Sequence, residues 1–440
     1  MHQRHFLCFL LFVVMVLTHT TSAQVLSSKG LSDSTNRIIE AGLKEMGMRL
    51  SDMWMPADIL ATDVHRLPVV SSLFTKPLSS FSTVQYHASE LKQLSFNSAD
   101  AYFGVLLQQL QFGEYKLINF ENIMTSRELD DRLQSGLDTL LALEGAVMVR
   151  QYCAPFFLAA DAINESRDKL LRRDILMKYC DSMLLQSEED QSLSLFQLKQ
   201  REQEGLKLSK KFFAEAGEIT MNEMVNNSLA YYRTVLRLTA MSKTLMDEYK
   251  KGVKKTIIFN SKYGRIALGG PGDDIYTGDF ALIVDIGGND RYFPAQRSKS
   301  SAIASPLRCI IDFSGDDIYV GDDYCFGGAI MGADIVYDGA GNDHYTAGNF
   351  SLGAGLFGVG ILHDEGGNDH YTGKIFTQGA GQFGIGILAE GTGNDVYVAQ
   401  SDGQGFGGVR GFGAIADRQG NDVYTASSPF QDFLRYDTHF

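Results

Sequence analysis

The sequence predicts an α + β-solenoid fold, in which an N-terminal α-helical bundle precedes a glycine-rich parallel β-helix of about six coils. Between residues 285 and 424, an octapeptide of the form acid-x-x-Gly-Asn/Asp-Asp-x-Tyr recurs every 26 or 27 residues. Self-similarity at a fixed period of this length is typical of stacked structural repeats. The residues before the repeats place apolar side chains at the spacing of helix faces instead, which predicts a separate helical part.

The first 23 residues have the organisation of a secretory signal peptide. A short basic start precedes a twelve-residue apolar run, Phe6 to Leu17, and a polar stretch closes on Ala23. Such a run is typical of signal peptides and is too short to cross a bilayer. The sequence therefore predicts cleavage before Gln24, a secreted, periplasmic or cell-surface protein, and no transmembrane segment.

Residues 24–257 are predicted to form the α-helical domain. Ser32 or Asp33 can cap a first helix whose apolar residues recur at the i, i+3/i+4 spacing of one helix face, and Pro56 ends that pattern. No recognisable catalytic constellation lies in this part of the sequence. Further helices are expected at 101–112, 126–153, 155–183, 191–216 and 219–255.

Residues 258–428 are predicted to form the β-helix, because aligning the repeats on their tyrosines produces columns of equivalent residues. If each repeat forms one coil, these columns become ladders with a spacing of about 4.8 Å, and the tyrosines stack inside. The repeat tyrosines are Tyr292, Tyr319, Tyr345, Tyr371, Tyr397 and Tyr424. Seven residues before each tyrosine stands an acid, and we call this column the strand-end acids: Asp285, Asp312, Asp338, Asp364, Glu390 and Asp417. Two residues before each tyrosine stand the turn aspartates: Asp290, Asp317, Asp343, Asp369, Asp395 and Asp422.

A glycine stands four residues before each repeat tyrosine, where a tight turn often needs a positive φ. The position nine residues before each tyrosine is always aliphatic and is expected to lie inside the solenoid. After Tyr397 the repeat becomes more polar, as a terminal coil requires. Residues 429–440 are predicted to cover this last coil.

An earlier copy of the turn, Gly269 to Tyr276, reads Gly-Gly-Pro-Gly-Asp-Asp-Ile-Tyr and adds Asp274 to the turn aspartates. It resembles the Gly-Gly-x-Gly-x-Asp-x-U-x nonapeptide of RTX proteins, and the turns ending at Tyr345 and Tyr371 look similar. This resemblance implies that the acidic turns bind calcium. It covers the turns alone, because RTX arrays repeat every nine residues or so, without the long return segment found here.

Electrostatics supplies a separate reason to expect a cation beside these turns. Carboxylates stacked about 4.8 Å apart repel by roughly 1 kcal/mol per pair in water and by more when partly buried, and Ca²⁺ prefers such oxygen ligands. The alternative is a metal-free turn, in which each aspartate accepts backbone N–H bonds within its own turn and the neighbouring asparagines form an amide ladder. The predicted calcium ligands are Asp274, Asp285, Asp290, Asp312, Asp317, Asp338, Asp343, Asp364, Asp369, Glu390, Asp395, Asp417 and Asp422.

Three histidines are candidates for catalysis. His344 and His370 each precede a repeat tyrosine, so strand alternation is expected to point them outward, where acid/base chemistry on a polysaccharide is conceivable. Stacked surface histidines without a chemical role are the alternative. His363, eight residues before Tyr371, is an equally ambiguous candidate.

Charge and cysteine content limit the partners and the covalent structure. The net charge is −14, and residues 258–440 contain 23 acidic against 10 basic residues, so nucleic acid is not an expected partner. Signal cleavage would leave four cysteines, at 153, 180, 309 and 325, which can form two disulfides or remain buried thiols.

These features predict an exported binding or structural protein with a calcium-stabilised β-helix and a polysaccharide or another surface protein as its partner. The alternative is a polysaccharide lyase or glycoside hydrolase that acts on the β-helix face. A third hypothesis places the activity in the helical bundle. An outward groove that joins histidines to unpaired carboxylates would favour the enzyme, and a smooth face would favour the binding module.

Overall fold

The computed structural model describes residues 33–49, 67–75, 79–121, 124–133, 148–184, 195–215 and 219–426. The predicted signal peptide and the predicted C-terminal cap lie outside the described residues. Within them, helices precede a parallel β-solenoid of about six coils, so the predicted fold class is confirmed. None of the described helices combines the length and the apolar character that a membrane span requires.

The N-terminal part is helical, and a π-helical turn at Val149–Cys153 leads directly into one of its central helices. The helix expected over 155–183 is divided at residues 172–173, because Asp174 opens a new helix with an acidic residue in the first turn, where the helix dipole favours it. The helices are α1 (Asp33–Glu45), α2 (Pro68–Thr75), α3 (Ser79–Lys92), α4 (Ala99–Gln109), α5 (Ser126–Asp130), α6 (Ala154–Leu171), α7 (Asp174–Leu184), α8 (Leu195–Glu215), α9 (Asn222–Gly252) and, within the solenoid, α10 (Lys299–Ala304).

The solenoid begins with a β-hairpin and continues with short strands. Its strands are β1 (Ile257–Ser261), β2 (Gly264–Leu268), β3 (Ile275–Thr277), β4 (Leu282–Asp285), β5 (Arg291–Phe293), β6 (Leu307–Asp312), β7 (Ile318–Val320), β8 (Ala329–Ile330), β9 (Ala333–Asp338), β10 (His344–Thr346), β11 (Gly355–Leu356), β12 (Val359–Asp364), β13 (His370–Thr372), β14 (Gly381–Gln382), β15 (Ile385–Thr392), β16 (Val396–Ala399), β17 (Phe412–Gln419) and β18 (Val423–Ala426).

The strands form three sheets that run along the solenoid. The long-strand sheet has the order β1-β2-β4-β6-β9-β12-β15-β17, the tyrosine sheet β18-β16-β13-β10-β7-β5-β3, and a third sheet β14-β11-β8. Only the β1–β2 pair is antiparallel among these strands. Tyr345 pairs in register with Tyr319 and Tyr371, and Asp338 pairs with Asp364. The predicted ladders are therefore present, and consecutive tyrosine rings stack with centroids 4.4–5.0 Å apart.

The long-strand sheet is buried on both faces. Its inward residues, such as Val336 and Leu362, pack with the tyrosine stack inside the solenoid. Its outward residues, such as Ile335 and Ile361, belong to a second core that includes the helices. Near-continuous apolar strands are typical of parallel sheets covered on both sides. The helices thus cover one face of the solenoid and leave the outer face of the tyrosine sheet exposed.

Arg167 on α6 fastens the helices to the solenoid. Its guanidinium is almost fully buried and donates to the backbone carbonyls of Ile303 (2.6 Å), Ala304 (2.8 Å), Ser305 (3.0 Å) and Met331 (3.4 Å). Carbonyls at the C-terminal end of a helix have no partner within the helix and carry partial negative charge, so a cation is favourable there. Burial lowers the pKa of this guanidinium to about 10.

Close contact between coils explains the glycine four residues before each repeat tyrosine. Of that column only Gly288 has a positive φ, of 147°, so the predicted conformational reason is wrong for the others. A Cβ at Gly341 would instead overlap the carbonyl oxygen of Gly315 in the preceding coil, and a Cβ at Gly367 would overlap that of Gly341. Stacked turns therefore require glycine because their backbones touch.

The four cysteines beyond the predicted signal peptide are buried thiols. Burial raises the pKa of the Cys153 and Cys309 thiols well above their usual value and that of Cys325 to about 11. The thiols are therefore protonated and behave as small apolar side chains. Of the two alternatives from the sequence, the structure has buried thiols.

Candidate metal centres along the solenoid

The structure brings together all the predicted calcium ligands except Glu390. Each group contains the turn aspartates of two successive coils and the strand-end acid of the later coil, with carboxylate oxygens that all lie within 4.8 Å of one another. The groups, which we call trios one to five, are Asp274–Asp285–Asp290, Asp290–Asp312–Asp317, Asp317–Asp338–Asp343, Asp343–Asp364–Asp369 and Asp395–Asp417–Asp422.

Secondary structure fixes both kinds of ligand at the same corner of the coil. Asp338 is the last residue of β9, and Asp343 directly precedes β10, so the intervening glycine turn bends the chain from the long-strand sheet to the tyrosine sheet. Both side chains are fully buried at this corner. Parallel register then repeats the arrangement in each coil, because every corner lies over the one before it.

From Asp285 to Glu390, the strand-end acids accept hydrogen bonds at both carboxyl oxygens. Oδ2 of Asp364 accepts from the hydroxyls of Tyr345 (2.9 Å) and Tyr371 (3.2 Å), and its Oδ1 accepts from the backbone N–H of Gly366 (3.0 Å). The same pattern recurs at Asp338. Hydrogen bonds within the turn, as expected for the metal-free alternative, are therefore present in this column.

The turn aspartates are only half satisfied. The backbone N–H of Asp317 donates to Oδ1 of Asp343 in the next coil at 2.6 Å, and that of Asp343 donates to Oδ1 of Asp369 at 2.6 Å. The second oxygen, Oδ2, is buried and has no hydrogen-bond partner among the described residues at Asp290, Asp317, Asp343, Asp369 and Asp395. Buried oxygens without partners are rare and cost about 1–3 kcal/mol each, so a row of five calls for a ligand or a proton.

Burial and mutual repulsion both act against ionisation in these columns. Burial is the main cause of raised pKa values here, and the charges of neighbouring carboxylates add to it. The pKa is about 7 for Asp317, about 8 for Asp369 and about 9 for Asp343. The pKa of Asp338 is raised well above its usual value for the same reasons. The columns must therefore either take up protons or bind cations.

An asparagine ladder runs along the exposed side of the same turns. Nδ2 of Asn368 donates to Oδ1 of Asn342 at 3.0 Å, and Nδ2 of Asn394 donates to Oδ1 of Asn368 at 3.1 Å. This is the amide ladder of the metal-free alternative. It involves exposed side chains and leaves the buried Oδ2 atoms without partners, so it does not remove the need for a cation or a proton.

The trios fit a hard cation. They consist of carboxylates alone, and oxygen-only sets suit Ca²⁺, whereas zinc prefers cysteine and histidine. The turn aspartates would hold the ion, and five of them have an Oδ2 without a hydrogen-bond partner among the described residues. The strand-end acids would contribute as well, because a carboxylate oxygen that accepts a hydrogen bond keeps a further lone pair. A divalent cation would offset the two carboxylate charges that each coil contributes.

Glu390 departs from the pattern. Its Oε2 accepts from the Tyr371 hydroxyl, and its Oε1 accepts from the N–H of Gly391 at 2.8 Å. Among the described residues, its oxygens do not form a close group with those of Asp369 and Asp395. The extra methylene of glutamate thus shifts the carboxylate out of the position that aspartate holds in the other coils.

His344 and His370 form an exposed pair on the tyrosine sheet. Their rings are parallel within 7° and their centroids are 4.8 Å apart. The adjacent Asp343 and Asp369 point to the opposite side of the strands and are fully buried. No hydrogen bond or ion pair in the described part of the chain joins either imidazole to a carboxylate, so the pair lacks an acid partner.

His363 lies elsewhere, on the outer face of the long-strand sheet beneath α9. Its Nδ1 is 2.7 Å from the hydroxyl oxygen of Tyr232, and its Nε2 is 3.5 Å from Oε1 of Glu365 and from Nη2 of Arg418. Burial lowers the pKa of His363 to about 4. This cluster couples a helix to the sheet. Sequence reasoning missed Tyr232 as a partner of His363 because Tyr232 belongs to no repeat.

Comparison with known proteins adds no relative, since no family model, no curated protein and no solved structure matches the chain.

Proposed function

We propose that this chain is an exported binding or structural protein of the cell surface or periplasm, and that the trios of its solenoid bind calcium. The observation that supports calcium is the row of buried Oδ2 atoms on the turn aspartates, which have no hydrogen-bond partner among the described residues. Each of these aspartates belongs to at least one trio, beside two further carboxylates. A calcium ion bound there would give these oxygens the partner that no described residue provides.

Calcium in a trio would join neighbouring coils. Each trio draws on turn aspartates from two coils, so an ion bound there connects them across the ladder. Extracellular modules can use calcium sites as weak as about 10⁻⁴–10⁻³ M in dissociation constant, so even the weakest trio of an exported protein would fill at millimolar calcium. The ion thereby acts as a structural ligand of the folded solenoid.

The binding role is supported by the exposed face of the tyrosine sheet. Helices cover the long-strand sheet, whereas the outward residues of the tyrosine strands are open, including Ile275 at 61% exposure and Ile318 at 36%. This flat face is mainly β-branched and carries the His344–His370 pair without adjoining acids. Such a face favours contact with a polysaccharide or another surface protein over hydrolysis.

Thermal unfolding of the expected mature chain, residues 24–440, tests the calcium proposal. We expect the melting temperature to rise when millimolar calcium is added after chelation, because a ligand that binds only the folded state stabilises it by RT ln(1 + [L]/Kd), about 1.4 kcal/mol per site at ten times its dissociation constant. Magnesium at the same concentration should have a smaller effect, since it favours a stricter geometry and retains its water.

A matched pair of variants identifies the atoms involved. Asp317→Asn removes a carboxylate shared by trios two and three, whereas Asp316→Asn changes its exposed neighbour in the asparagine column. Asp317→Asn should reduce the calcium-dependent rise, and Asp316→Asn should preserve it. A wild-type melting temperature that is the same in chelator and in millimolar calcium would contradict the proposal and leave protonated carboxyls as the explanation.

A further inference from the structure

The five trios differ in their accessibility to solvent. In trios two, three and four every residue is buried, and in trio one only Asp274 is partly exposed. In trio five both Asp417 and Asp422 are partly exposed, and only Asp395 is buried. The C-terminal trio is therefore the most open to water.

Trio five is also separated from the rest. Trios one to four form a continuous series because each shares a turn aspartate with the next: Asp290, Asp317 and Asp343. The series stops at Asp369, because Glu390 does not hold its carboxylate beside Asp369 and Asp395. Trio five begins one coil later and shares no residue with trio four.

Among the strands that the structure describes, the coil that supplies most of trio five has strand partners on one side only, and α3 also contacts it, through the ring of His87 at 5.1 Å from that of Phe412. Within the described residues β17 pairs with β15 and β18 pairs with β16, and no strand pairs with their other edges. Tyr424 is 48% exposed, whereas Tyr397 in the coil before it is fully buried. Asp395 belongs to this trio, and its buried Oδ2 has no hydrogen-bond partner in the described part of the chain, so its side chain offers a cation an oxygen that no other described residue uses.

We infer that trio five is an exchangeable calcium site that controls the ordering of the last coil, residues 412–426, while trios one to four hold structural calcium. This inference rests on the proposed binding of calcium by the trios. An ion in trio five would link Asp395 of the penultimate coil to Asp417 and Asp422 of the last one. Loss of that ion would release β17 and β18 before any other part of the solenoid.

Two physical effects separate the classes of site. An ion in a fully buried trio can leave only when the coils around it open, whereas two ligands of trio five are already partly exposed, so the ions of the buried trios exchange more slowly. Terminal elements with few partners also open locally at a lower free energy than central ones. The last coil is therefore expected to respond to calcium concentrations that leave the central coils unchanged.

Bound calcium and hydrogen exchange test this inference on the mature chain. After desalting into calcium-free buffer without chelator, we expect about four calcium ions per chain by atomic emission, one for each trio of the continuous series. Amide exchange in 412–426 should then slow at least about tenfold when calcium is added, whereas exchange in 333–364 should stay constant.

Variants with reciprocal effects complete the test. Asp422→Asn should abolish the calcium response of 412–426 and leave the retained calcium unchanged, whereas Asp317→Asn should lower the retained calcium and preserve the response of the last coil. Glu390→Asp should restore a trio with Asp369 and Asp395, so that the last coil becomes protected at a lower calcium concentration.

The outcomes distinguish this inference from the proposed function. If all sites fill in one step and protection of 412–426 changes together with that of the central coils, calcium binding stands but the separate terminal site is overturned. If no calcium binds at any concentration, both proposals fail. Calcium that protects 412–426 equally well in wild type and Asp422→Asn would also overturn the terminal site.

Discussion

The buried turn aspartates make the calcium-free protein sensitive to rising pH. Their pKa values in the folded state, about 6 for Asp290, 7 for Asp317 and 9 for Asp343, exceed the usual value of about 4 in an unfolded chain. A raised pKa in the folded state stabilises the fold fully below the unfolded pKa, and that stabilisation is lost as the pH rises through the folded pKa. With chelator present, the melting temperature should fall between pH 4 and pH 9.

Calcium should reverse this trend, because it binds the ionised carboxylates and its stabilising effect grows as they lose protons. The measurement is a series of melting curves from pH 4 to pH 9 with chelator and with calcium. A chelator series that is flat across this range would show that the carboxyls ionise as easily in the folded protein as in the unfolded chain.

The hydroxyls of the tyrosine stack should contribute measurably to stability. The Tyr345 hydroxyl is buried, 2.9 Å from Oδ2 of Asp364 and 3.3 Å from Oδ2 of Asp338, and its single proton serves one of them at a time, so Tyr345→Phe leaves these two buried carboxyls with one hydrogen-bonding group fewer. We expect a loss of about 1–3 kcal/mol in the free energy of unfolding by denaturant titration. Tyr424→Phe is the control, because Tyr424 is half exposed and water can replace its bond to Asp417. Equal losses in the two variants would contradict the role of burial.

At the scale of the secondary-structure elements, the contact between stacked turns predicts an asymmetry among glycines. Gly341→Ala would drive a Cβ into the Gly315 carbonyl, whereas Gly272→Ala lies in the first turn and would meet no atom within 4 Å. We expect Gly341→Ala to cost about 3 kcal/mol or more and Gly272→Ala to cost under about 1 kcal/mol. Denaturant titration measures both, and similar costs would show that the turn can relax.

The junction between α6 and α10 gives a second prediction at this scale. Arg167→Met keeps the apolar stem but removes the donors to four backbone carbonyls, so the free energy of unfolding should fall by about 1–3 kcal/mol. Arg172→Met is the control, because Arg172 is exposed and pairs with Asp168 across one helical turn. If the two variants lose the same free energy of unfolding, the buried guanidinium does not stabilise the junction.

Sequence patterns predicted the solenoid better than the helices, for a physical reason. In-register stacking turns each sequence column into a ladder, so Tyr345 could be placed beside Tyr371 without a structure. Helix boundaries depend instead on which local backbone conformations compete at each residue. No periodic pattern in the sequence marked the break before Asp174. The glycine column was recognised but misinterpreted, because backbone contact between coils is a property of the stack and not of a single turn.

For the molecule as a whole, the shared core predicts cooperative unfolding. One apolar cluster includes helix residues such as Tyr232 together with outward residues of the long-strand sheet such as Ile361 and Ile387. Scanning calorimetry of the mature chain in calcium should therefore show one main transition. The fragment 258–440 should aggregate or melt at a lower temperature, because its uncovered sheet would expose that apolar face. Two well-separated transitions, or a monomeric fragment as stable as the whole chain, would contradict this prediction.

The candidate metal centres could be predicted at the level of residues but not at the level of atoms. The columns identified the carboxylates of each trio from spacing alone, because ladders place equivalent side chains about 4.8 Å apart. Spacing could not show that tyrosine hydroxyls donate to Asp364 while Oδ2 of Asp369 has no hydrogen-bond partner among the residues that the structure describes, since both columns look equally acidic. Glu390 differs from the other strand-end acids by one methylene. Its different geometry could not be foreseen from a column described only as acidic.

In-register stacking also restricts how a gene for this protein can change in length. Duplication of one 26-residue unit, such as 347–372, adds one rung to every ladder and places each new glycine, aspartate and tyrosine on its equivalent. A duplication that does not comprise whole coils would set glycine positions against side chains and break the stack. Descendants of such a gene should therefore differ by whole coils, with irregular intervals confined to the ends, as in the 16 residues between Tyr276 and Tyr292.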